Sequence, residues 1–135
     1  MRTVFLGLDS RRLLIIILWL VTLHTVAVGI ALIAMPISWL SFFGFSVIEK
    51  FFTVQGGVFH LVLGMVYVSA ALDIEHADRL VQISIAAKFT ATVFLITYYL
   101  VVNPIWMSLV SGIGDGLMGG AILLAYLAYR RDSHE

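Results

Sequence analysis

The sequence predicts an all-α integral membrane protein, a single-domain four-helix up-down-up-down bundle with an interfacial segment after the first helix. Four apolar stretches, Leu13–Met35, Phe51–Leu72, Leu80–Val102 and Ile105–Tyr129, fill most of the 135 residues. At about 1.5 Å rise per residue each reaches about 30 Å or more, the thickness of a hydrocarbon core. Composition agrees: 61% of residues are hydrophobic and 12% charged, against about 45–50% and 25% in globular domains. A mean hydropathy of +1.06 leaves no polar face for water on any of the four stretches.

Span one follows Arg11 and Arg12. Its apolar run of about 23 residues exceeds the roughly 7–15 of a cleaved signal, so it is expected as a retained anchor. Pro36–Lys50 then carries Trp39, Phe42, Phe43 and Phe45, rings suited to the headgroup region, as an interfacial segment or a short re-entrant turn. In span two, Thr53, Gly57, His60, Gly64, Tyr67 and Ala71 recur at steps of three and four. That stripe of small and polar residues is expected to face protein, with Leu and Val toward lipid. Span four contains Gly112, Gly116 and Gly120, which predict its packing face, because helices in lipid associate by close backbone approach. Short connections, down to Asn103-Pro104, make sequential helices antiparallel neighbours.

Arg2, Arg11, Arg12, Arg79, Arg130 and Arg131 fall at the termini and the middle loop, with Lys50 alone on the other side. Both termini are therefore expected to be cytoplasmic. A formal charge of zero gives no reason to expect nucleic acid. With no cysteine, thiolate metal sites, disulfides and cysteine nucleophiles are excluded. There is no H-E-x-x-H, G-x-S-x-G or P-loop and no close acidic pair within a span, so no catalytic residue is assigned and no complete catalytic motif points to an enzyme. The loop carboxylates Asp73, Glu75 and Asp78 with His76 are read as a solvated turn rather than a metal site.

His24, His60, Lys88 and Asp115 are ionisable and lie inside the spans. Such groups are costly in hydrocarbon and face a bundle interior or cavity. Counted from the outer ends of the spans they lie at depths of about 16, 14, 21 and 15 Å, so all four are expected near the midplane. Lys88 shares a stripe with Ser84, Thr92 and Tyr99, and Asp115 one with Ser108, Ser111 and Gly119. The spacing predicts a Lys88–Asp115 ion pair that fixes the register of spans three and four, with a proton or substrate path through the same residues as the alternative. His24 and His60 are candidate ligands for haem b or a quinone, and otherwise interhelical hydrogen-bonding groups. Gly57 and Gly64 would admit either a macrocycle or a neighbouring helix. Tyr126, Tyr129, Arg130 and Arg131 are expected at headgroup level, anchoring to membrane lipids, and Trp19, inside span one, as a packing or subunit-contact residue.

Several features together resemble the small four-helix DoxX-like membrane proteins of bacteria. They are Pro36-Ile37-Ser38-Trp39-Leu40-Ser41-Phe42-Phe43-Gly44-Phe45, the Ala87-Lys88 pair, Gly114-Asp115 and the terminal Arg130-Arg131. The resemblance spans the whole chain, and His24 and His60 lie outside it. It implies a bacterial inner-membrane protein with an accessory role beside quinone-linked redox enzymes, and it assigns no catalytic residue. The expected function is that of a non-catalytic accessory or structural transmembrane subunit of a larger complex, such as an energy-converting or oxidative assembly. Its partners would be other transmembrane subunits, membrane lipids or further copies of itself. A haem- or quinone-binding redox module and a small transporter are the alternatives.

Overall fold

A computed structural model describes residues 9–133 of the chain; Arg2 lies outside them. Four helices are long and apolar enough to cross a membrane. They are α1 (Ser10–Ala34), α3 (Phe51–Leu72), α4 (Asp78–Thr97, continued by one wider π turn over Tyr98–Val102) and α5 (Trp106–Ser133); a short α2 (Ile37–Phe42) follows α1. α1 packs on α3 and α5, and α4 packs on α5 and α3, so α1 and α4 stand diagonally opposite. This is the antiparallel square bundle that short connections dictate. Three of the spans run past the limits of the apolar stretches. α1 begins at Ser10, α4 at Asp78, and α5 continues through Arg130 to Ser133, because charged residues at a helix end remain helical while their heads reach water.

The Pro36–Lys50 segment is neither extended nor re-entrant; it opens with α2. Pro36 precedes the first helical residue, and Gly44 terminates the helix at φ +92. Its N–H donates to the Ser41 carbonyl while that of Phe45 donates to the Leu40 carbonyl, both at 3.0 Å, the Schellman pattern that needs a left-handed residue. Leu40 is buried, and Phe43 lies 6.0 Å from the Trp106 ring, whereas Trp39 is 62% and Phe42 75% exposed. α2 thus rests on the end of the bundle with two aromatic rings outward, as an interfacial helix does. Lys50 donates to the Ile33 carbonyl at 2.9 Å, supplying a cation to the last turn of α1, which has none of its own.

The core lies toward the termini. Leu14, Leu18 and Val21 of α1, Ala70 and Ala71 of α3, Val81 of α4 and Ile122, Ala125 and Tyr126 of α5 are buried together, with Ile74 and Ala77 from the connecting turn beneath them. Ion pairs close that end. Arg11 meets Glu75 at 3.0 Å, and Arg130 bonds Asp78. Asp78 lies in the first turn of α4 and Arg130 in the last turn of α5, so each charge also complements its helix dipole.

Candidate functional site

Lys88 projects from α4 toward the axis of the bundle with its side chain 7% exposed. Its ammonium donates to Asp115 Oδ1 at 2.6 Å on α5 and to Thr25 Oγ1 at 3.4 Å on α1. The same nitrogen stands 5.8 Å from the centroid of the Tyr67 ring on α3, within cation–π range. One side chain therefore touches every spanning helix. Lys88 has three donors to place, and Asp115, Thr25 and the Tyr67 face take them, which offsets the desolvation that an ammonium suffers away from water. Thr25 and Tyr67 were not paired with Lys88 by spacing, although Thr25 adjoins His24 and Tyr67 shares the small-residue stripe of α3.

Glycines allow this approach. A Cβ on Gly119 would stand 3.1 Å from Lys88 Cβ, and one on Gly116 3.3 Å from Thr92. A Cβ on Gly112 would stand 3.0 Å from Ile96. The packing face expected from Gly112, Gly116 and Gly120 therefore runs through Gly112, Gly116 and Gly119 instead, and a Cβ on Gly120 would meet nothing within 4 Å. The helical period explains the correction: at about 100° per residue, seven residues return within about 20° of the start, whereas eight overshoot by about 80°. On the other side of the bundle a Cβ on Gly57 would lie 2.7 Å from the Gly29 carbonyl oxygen, and one on Gly64 2.8 Å from Val26. These glycines form the seam between α1 and α3.

The two histidines do not share a gap. His60 Nδ1 bonds the Gly56 carbonyl at 2.8 Å, and its Cβ faces Gly29 across the seam. His24 is five residues before Gly29, about 140° round α1 and about 7.5 Å along it. It is exposed on the side turned from the Gly29 contact, near enough to Lys88, Asp115 and His60 for their charges to act on it. At the level of Gly29 and Gly57 the backbones of α1 and α3 are in contact. In this arrangement the two imidazoles are not aimed into one cleft, the geometry that bis-histidine ligation needs.

Ser108 donates to the Leu95 carbonyl at 3.0 Å, tying α5 to α4 just before the π turn. Tyr126, expected at the headgroups, is buried and accepts a bond from Gln82 at 3.3 Å. Arg130, expected on lipid phosphate, is engaged by Asp78, and Tyr129 packs against the core. Trp19 is 44% exposed on the outer surface of α1. Among the described residues no group of three or more His, Asp or Glu converges as a metal site. In the α3–α4 turn, His76 Nδ1 lies 2.9 Å from Asp73 Oδ1, and that hydrogen bond raises the His76 pKa above its ordinary 6.5. No protein family, curated protein or solved structure matches the chain.

Proposed function

We propose that the chain is a non-catalytic accessory or structural subunit of a larger membrane assembly, an energy-converting or oxidative complex being the kind its DoxX-like features suggest. The observation that carries this reading is the closed centre. Lys88 and Asp115, the strongest chemistry-bearing groups inside the spans, are consumed in holding four helices together. A pore through them finds less support, because the apolar layer of Leu14, Leu18, Val21, Val81 and Ile122 lies between that pair and the terminal end. What is left for function is the outside of the bundle, where large apolar side chains of all four spans are exposed.

The described arginines Arg11, Arg12, Arg79, Arg130 and Arg131 share the terminal end, and Lys50 lies at the α2 end, which supports an orientation with both termini cytoplasmic. The test is a mild-detergent pull-down from native membranes with mass spectrometry of the eluate. Stoichiometric large subunits are the expected result; a monodisperse chain with no other protein overturns the reading.

A further inference from the structure

His24 is the one histidine of the spans whose side chain is exposed, and it sits near the middle of α1, where the surroundings are hydrocarbon. A polar group at that depth is costly unless another polar group of equal depth covers it. Gly29, Val26 and Ile33 mark the side of α1 that faces α3, and His24 lies away from it, beside the groove shared with α5. Across that groove Asp115 keeps its side chain 14% exposed, and Lys88 bonds only its Oδ1. On the side of α5 turned away from α4, Ser111 is exposed, and a Cβ on Gly114 would meet nothing within 4 Å. This face is thus polar at mid-depth, while the surfaces around it are apolar.

We propose that this α1–α5 face is covered by a second copy of the chain, with His24 of each copy hydrogen-bonded across a two-fold axis normal to the membrane. The inference rests on the reading that the outer helix faces are the working surfaces. Three arguments select a second copy over another partner. Copies inserted with the same orientation hold every residue at the same depth, so the two-fold brings His24 level with the partner's His24 automatically. A neutral imidazole carries one donor and one acceptor, so two identical imidazoles complement each other, which two ammoniums or two carboxylates cannot do. The Lys88–Asp115 pair cancels its own charge, so a partner bringing a net charge to the groove would find no counter-ion.

The chain contains no cysteine, so His24→Cys introduces a single thiol. In membranes holding the chain at low density, mild oxidation is expected to give a disulfide-linked dimer. Val93→Cys, exposed on α4 diagonally across the bundle, is expected to stay monomeric. No dimer at His24, or equal cross-linking at both positions, overturns the proposal. By dilution in lipid vesicles, His24→Leu is expected to raise the dimer dissociation constant by about 3- to 15-fold, the worth of one interhelical hydrogen bond in lipid. His24→Gln, whose amide also both donates and accepts, should restore most of it; a glutamine variant as weak as leucine overturns the hydrogen bond. A missing His24 cross-link beside copurifying large subunits removes the second copy and keeps the accessory reading, and a His24 dimer with no other protein does the reverse.

Discussion

Toward the termini, Leu14, Leu18, Ala70, Val81 and Ile122 meet between all four helices, and salt bridges to Glu75 and Asp78 fasten the rim. Toward α2, the helices instead meet in pairs, through the backbones of Gly29 and Gly57 and through Gly112 against Ile96, with Ser108 donating to Leu95. Side-chain volume closes the first half, and absence of side chain closes the second. Lipid makes the difference instructive. Tails are as apolar as leucine, so burying leucine gives no transfer advantage, and what remains is packing, which glycine seams and interdigitated leucines achieve by opposite means. Lys88 marks the border between the two halves.

The largest expected effect comes from breaking that border. Lys88→Met leaves the Asp115 carboxylate without its ion partner in the interior and should cost about 3–5 kcal/mol; Lys88→Met with Asp115→Leu should recover much of it, read as unfolding in mixed micelles. If the double variant loses as much as the singles combined, the two residues do not act as a pair. Gly57→Ala tests the α2 half. A methyl group 2.7 Å from the Gly29 carbonyl oxygen must separate α1 from α3, at about 1–3 kcal/mol, whereas Gly120→Ala, where a Cβ meets nothing within 4 Å, should be silent. Equal effects would mean that the seam is not set by backbone approach. Ser108→Ala should cost about 0.6 kcal/mol, the average interhelical hydrogen bond in a membrane protein. A loss several times larger would make the hydroxyl, not Gly112, the main link between α4 and α5 there.

Smallest of all is the effect at the exposed turn. The Asp73 carboxylate raises the His76 pKa, so its contribution is fully present below about 6.5, the unfolded value, and is lost as pH rises through the higher folded value. Nuclear magnetic resonance of the His76 ring should show a midpoint above 6.5 that returns to it in Asp73→Asn. An unshifted midpoint in the parent chain would detach this turn from the electrostatic rim.

The spans were legible because hydropathy and length need no knowledge of neighbours. The Lys88–Asp115 pairing was legible because a two-residue turn leaves α4 and α5 few ways to pair. α2 was missed, yet Pro36 before a short apolar run and Gly44 after it are ordinary start and stop signals; the aromatic content drew attention to the interface instead. Gly120 was placed on the packing face because steps of four drift on a helix of about 3.6 residues per turn, while Gly119, read only as a neighbour of Asp115, completes that face. The histidines could not be placed. Their depths follow from the sequence, but the rotation of α1 about its axis is fixed by the Gly29–Gly57 contact, which joins residues 28 apart. Tyr126 lies near a helix end as its position suggests, but its burial could not be read, because the Gln82 amide bonded to its hydroxyl lies 44 residues away.

The position of Lys88 also bears on how the chain enters the bilayer during synthesis. When α4 emerges, its lysine has only Thr25 and Tyr67 of the earlier helices to meet, and an uncompensated lysine at mid-helix costs about 2.5–3.5 kcal/mol on insertion scales. Asp115 follows 27 residues later, beyond the turn at Asn103-Pro104. Insertion of α4 and α5 together as one hairpin would spare the chain that cost.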